Sequence, residues 1–101
     1  NGFAAPYFGI RGQEVNSAME ESGLPQGIYV TDCIADSPAY NAGIQPGDII
    51  TWINGSKTNT MKDFQNQVES LKPGDKVNVA VQRNGKDSYK EIEYPVTIGA
   101  R

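Results

Sequence analysis

The chain has 101 residues, 38% of them hydrophobic and 21% charged, enough for one globular domain around a single core. Its net charge is −3 and it has no basic cluster, which sets nucleic-acid binding aside. It contains no histidine and one cysteine, so neither a Ser-His-Asp or Cys-His site nor the usual His/Cys zinc site can be assembled, and no cofactor or metal is called for. Lysine-based nucleophilic chemistry stays formally open, but nothing in the sequence prepares a lysine for it. The domain therefore reads as non-catalytic. No apolar run approaches the length of a membrane span.

In chain order, residues 1–6 (Asn1 to Pro6) read as a residual connector from something that precedes the domain. "APYFGIRGQEV", from Ala5, permits a strand from Tyr7 to about Val15, interrupted at Gly9. "NSAMEESG" reads as one or two helical turns, capped by Asn16 or Ser17 and stopped at Gly23. "GIYVTDCIA", Gly27 to Ala35, is rich in β-branched and aromatic residues and predicts a strand holding Cys33 as an inert, buried small hydrophobe. "DSPAYNAG" predicts a miniature helix with Ser37 as cap, Pro38 at its first position and Gly43 at its end.

"DIITWING", Asp48 to Gly55, predicts a strand ending in an Asn54-Gly55 turn, with Trp52 a partly exposed packing residue. From Thr60 to Leu71 the apolar residues Met61, Phe64, Val68 and Leu71 recur at helical spacing, and Thr60 with Asp63 resembles a capping box. Val77, Val79 and Val81 then alternate with polar or small residues, and Asn84-Gly85 suits a type I′ hairpin turn. The return strand, from about Ser88 to Ile98, is bent or edge-placed at Pro95. Glu14, Glu20 and Glu21 read as a solvated face. The sum is an α+β domain: five to six short, mostly antiparallel strands and two to three helices, closed into a partly open barrel.

"SPAYNAGIQPGDIITWING" carries a resemblance to PDZ domains, and most to those of bacterial HtrA/DegP-like serine proteases. "YFGI" before it, and the helix, "PGDKVNVAVQRNGK" and closing strand after it, stand in that family's order, so the resemblance covers nearly all of the chain. It implies a single PDZ domain over residues 1–101, following a protease domain in the parent chain, outside the cytoplasm and without catalytic residues of its own.

It also implies a site. PDZ recognition adds an extended peptide to a sheet edge. Tyr7, Phe8, Gly9 and Ile10 match the family's carboxylate-binding loop, with the N–H groups of Phe8, Gly9 and Ile10 as donors. Arg11 and Gly12 would continue as the pairing edge, and Met61, Gln65 and Val68 would form the opposite wall of the groove. Spacing alone suits Met61 and Val68 equally to the core. Ala4, Ala5 and Pro6 stand where many family members carry a basic residue, a departure that bears on how strongly a free carboxylate is required. The implied partners are C-terminal or extended segments of unfolded protein substrates, with an oligomer possible through the parent protease. The implied function is recruiting substrate or regulating the protease. The alternative is a docking or autoinhibitory PDZ domain of another membrane- or secretion-associated peptidase.

Overall fold

The computed structural model of the chain describes residues 5–86 and 88–100. Most of the segment read as a connector, residues 1–4, lies outside the described residues. Pro6 and Tyr7 form a two-residue strand, β1 (Pro6–Tyr7), which pairs antiparallel with β8 (Gly99–Ala100) near the other end of the chain. The main sheet has the order β2-β3-β4-β6-β7, from β2 (Ile10–Glu14), β3 (Ile28–Cys33), β4 (Ile49–Ile53), β6 (Lys76–Asn84) and β7 (Tyr89–Thr97). A short β5 (Ser56–Lys57) attaches to β4. Every one of these pairings is antiparallel, in keeping with the α+β expectation. Three helices complete the domain: α1 (Ser17–Glu21), α2 (Pro38–Ala42) and α3 (Met61–Glu69).

The core is what the alternating strands predict. Ile28 and Val30 of β3, Ile50 and Ile53 of β4, and Val79 and Val81 of β6 are fully buried, and α3 closes over them with Phe64. Pro95 sits on β7, an outer strand of the sheet, opposite Asn78. That is where a residue without an N–H is tolerated. Trp52 is exposed on β4, with the Lys57 ammonium 5.5 Å from its ring centroid.

The two Asn-Gly pairs behave differently. Asn54 and Gly55, with φ of 52° and 82°, form the two-residue loop between Ile53 and Ser56. Asn84 and Gly85 do not adopt the left-handed values that a type I′ turn requires. Asn84 instead pairs with Tyr89 as the last residue of β6, and the hairpin closes further on, where Gly85 N–H donates to Ser88 O at 2.8 Å. The ladder carries Asn84 past the place where its local preference would have turned the chain.

The turn before β4 is held by a charge pair that no spacing in the sequence signals. Asp48 is 2% exposed and accepts from Gln45 N–H at 3.0 Å. Across 35 residues, Arg83 donates to both its oxygens, Nε to Oδ1 at 2.8 Å and Nη2 to Oδ2 at 2.7 Å, and Nη2 also reaches Gly43 O at 3.0 Å. The hydrogen bonds to Asp48 push the Arg83 pKa further up, and its guanidinium lies 5.5 Å from the Tyr94 ring centroid. One arginine thus ties β6 to the end of α2 and the start of β4. Arg83→Met should leave the Asp48 carboxylate buried without its main partner and cost roughly 2–4 kcal/mol. Urea unfolding monitored by Trp52 fluorescence measures it.

Candidate functional site

The strand edge comes first. Among the described residues β2 lies at the end of the sheet and pairs on one side only, with β3. Ile34 N–H donates to Gly9 O at 2.9 Å, and Val15 N–H to Gly27 O at 3.0 Å, which fixes the groups of this segment that point toward β3. Antiparallel ladders alternate, so Ile10, Gly12 and Glu14 turn their N–H and C=O groups to the opposite, strandless side. Arg11 pairs with Asp32, and its carbonyl accepts from Thr31 Oγ1 at 3.1 Å, so its backbone is already committed to β3.

At the head of this edge the chain makes a loop whose carbonyls are consumed and whose N–H groups are not. Phe8 O accepts from Ala39 N–H at 3.0 Å. Gly9 O accepts from Ile34 N–H and also from the Ser37 hydroxyl at 3.3 Å. Phe8 and Gly9 are both buried, yet among the described residues neither N–H donates to any acceptor. Two adjacent N–H groups without a described protein acceptor, at the mouth of an open edge, are placed to take an acceptor from outside. Gly9 is fixed in place twice over. Its φ is +95°, and a Cβ there would lie 2.1 Å from the Cβ of Ser37.

The facing wall is α3. The Thr60 hydroxyl accepts from Asp63 N–H at 3.0 Å, as the capping pattern predicts. The reciprocal arm is absent among the described residues. Instead Glu14, read from sequence as part of a solvated face, reaches from β2 and accepts Met61 N–H on Oε1 at 2.8 Å. Phe64 packs edge-on against Phe8, centroids 5.4 Å apart. Between loop and helix lies a cleft of about 220 Å³, lined by Tyr7 to Ile10 on one side and by Phe64, Gln65, Val68 and Glu69 on the other, with Pro6 and Ile34 at its margins. Larger hollows lie beside α2 and β8 (about 550 Å³) and at the β6–β7 turn (about 570 Å³). Size does not choose among them; the orphan donors do.

A family model described as PDZ domain matches residues 6–93. The chain belongs to the PDZ domain family. Among curated proteins it is 43% identical over 72% of its length to a serine protease Do-like HtrA of Lactobacillus helveticus. It is 40% identical over 92% to a probable periplasmic serine endoprotease DegP-like of Ectopseudomonas mendocina. It is 30% identical over 83% to the periplasmic pH-dependent serine endoprotease DegQ of Escherichia coli. The chain spans only 18–19% of the length of these relatives. Among solved structures it resembles the HtrA-type protease AlgW with decapeptide, with a TM-score of 0.83 and 29% identity, over 97% of this chain and 30% of that one. The HtrA3 PDZ domain bound to a phage-derived ligand shares the fold, with a TM-score of 0.80 and 24% identity over 98% of this chain and 89% of that one. The resemblance carried by "SPAYNAGIQPGDIITWING" is thus to the right proteins.

This PDZ domain brings Tyr7, Phe8, Gly9, Ile10, Gln65 and Val68 to one cleft, while Arg11, Gly12 and Met61 lie outside its lining. Gln65 is exposed, and Met61 and Val68 are half-buried against the core, so each serves two surfaces. Cys33, opposite Ile10, is half-buried rather than fully enclosed. Burial still pushes its thiol pKa up, helped by the charges of Asp32 and Asp48 and opposed by a Ser37 hydrogen bond, which disfavours the reactive thiolate. Sequence reasoning missed Glu69 and the paired role of Ser37, which caps α2 by accepting from Tyr40 N–H at 3.2 Å while donating to Gly9. Gly9→Ala should force both a strained φ and a clash with Ser37, destabilising the domain by about 2–4 kcal/mol in urea unfolding.

Proposed function

We propose that this domain binds C-terminal or extended segments of unfolded polypeptides by strand addition to β2. The observation that carries the reading is the pair of N–H groups at Phe8 and Gly9 that have no acceptor among the described residues, at the head of a strand edge with no described strand beside it. A terminal carboxylate supplies the missing acceptor, with Ile10 N–H as third donor. Ile10 and Gly12 then offer the guest their outward backbone groups, and the last guest side chain enters the cleft of Phe8, Ile10, Phe64 and Val68. The size of that cleft suits a medium-sized apolar residue. AlgW, 29% identical over nearly the whole of this chain, has been solved with a decapeptide and with a tripeptide, which supports the reading.

The parent would be a serine endopeptidase of the HtrA type, acting outside the cytoplasm as its periplasmic relatives are named to do, with hydrolysis done by a preceding domain. Peptide occupancy of this domain would recruit substrate or regulate that protease, in an oligomer formed through the protease. Among the described residues no helix is long and apolar enough to cross a membrane.

Short fluorescent peptides ending in Val, Ala, Leu or Phe, each made as free acid and as C-terminal amide, test the loop by anisotropy. The best free acid should bind about three- to tenfold more tightly than its amide. Equal affinities for every pair would remove Phe8, Gly9 and Ile10 from carboxylate capture. Val68→Glu should abolish peptide binding while the domain stays folded by circular dichroism; unfolding would instead assign Val68 to the core.

A further inference from the structure

Arg11 is the only cation on β2. It is exposed, and among the described residues its guanidinium makes no ion pair and no hydrogen bond. Its place follows from the alternation of the strand. Ile10, Gly12 and Glu14 stand opposite Cys33, Val30 and Ile28, and Val30 and Ile28 belong to the core, so Arg11 and Gln13 occupy the other face of β2. The register slips once, at Thr31, but that extra residue lies in β3 and leaves the alternation of β2 intact.

A guest on this edge takes its register from the loop. A carboxylate on Ile10 N–H leaves Ile10 C=O to accept from the N–H of the last guest residue. The guest then runs antiparallel to β2, and its third residue from the end exchanges both bonds with Gly12. The penultimate residue is left opposite Arg11. The Arg11 backbone is committed to β3, so this is a non-hydrogen-bonded pair, in which Cα atoms come within about 4.5 Å and side chains lie closest. Asp32, opposite Arg11 on β3, shares that face but is two strand spacings, about 10 Å, from the guest.

We infer that Arg11 selects the penultimate guest residue, favouring an acidic side chain there. The inference rests on the strand-addition reading and deepens it. Exposed cross-strand ion pairs are weak, so the preference is modest, about two- to fivefold. Its sign is what distinguishes it. The domain carries a net charge of −3, so long-range attraction alone would favour a basic guest. Only a cation close to the penultimate side chain reverses that order.

Free-acid peptides that share the last residue preferred in the anisotropy screen, and differ only in Glu, Gln or Lys at the penultimate position, test this by calorimetry. The native domain should bind Glu about two- to fivefold more tightly than Gln, and Lys most weakly. Arg11→Gln should abolish the preference for Glu, Arg11→Glu should reverse it, and Arg11→Lys should keep it, with every variant folded by circular dichroism. Moving the same three residues to the third position from the end, whose side chain turns to the opposite face, should give affinities that do not depend on the charge at Arg11. A native domain indifferent to the penultimate residue overturns the assignment, as does a preference for Glu that survives Arg11→Glu. An Arg11 effect of equal size at the third position also overturns it, by making Arg11 only a part of the general field. If no peptide of the set binds the native domain, strand addition itself fails, an outcome distinct from binding without discrimination.

Discussion

The groove depends on how α2 is seated. Its first turn and the residues just before it meet the loop through Ala39 N–H, Ile34 N–H and the Ser37 hydroxyl, and all three donate to the carbonyls of Phe8 and Gly9. A peptide unit whose oxygen is held from behind must present its nitrogen elsewhere. The Gly9 and Ile10 N–H groups therefore point away from α2, because the Phe8 and Gly9 oxygens of the same peptide units are taken by its first turn and the residues just before it. Ser37 makes this compact: it is buried, caps its own helix at Tyr40, and approaches so closely that only a hydrogen atom fits on the Gly9 Cα. The short "SPA" helix, easily taken for filler between two strands, is the back plate of the Phe8–Gly9 loop.

That seating needs α2 to be immobile, and its other end is where Asp48 and Arg83 act. Gly43, the C-cap of α2, gives its carbonyl to Arg83, while a Cβ on Gly43 would press the Tyr94 ring at 3.1 Å. The helix is thus fixed at its N-terminus by the loop it supports and at its C-terminus by a guanidinium that also neutralises a buried carboxylate. An arginine suits this position because its planar fork satisfies both oxygens of Asp48 and keeps a donor for Gly43.

Local rules were legible where one segment decides its own conformation. Asn16, Ser37 and Thr60 cap the helices that their sequence contexts predict, and the valines of β6 alternate as read. The reading went astray where distant segments compete. Asn84-Gly85 is a strong turn signal, yet pairing with β7 holds Asn84 in the strand. Asp63 has the right spacing for the second arm of a capping box, but Glu14, 47 residues from Met61, occupies that end of α3. Arg83 sits in β6 in phase with the buried Val77, Val79 and Val81, and nothing nearby names Asp48 as its partner. The loop residues are implied by resemblance; what sequence could not give was the direction of the Gly9 and Ile10 N–H groups, which depends on α2.

The charge around the loop then bears on what the site can hold. Among the described residues no cation lines the cleft; its charged lining residue is Glu69, near the end of α3. Arg11 is exposed, and its backbone is turned to β3. A guest carboxylate would therefore be held by neutral N–H dipoles alone and would meet a like charge across the cleft, a balance that weakens capture of the terminus without abolishing it. Pairing along the edge is indifferent to that charge, because it uses the backbone of Ile10 and Gly12. On the strand-addition proposal, such a groove would draw its affinity from a short stretch of extended backbone and one apolar side chain, and relatively little from the terminal charge. Chain ends of unfolded polypeptides offer those features in abundance, and folded proteins seldom do.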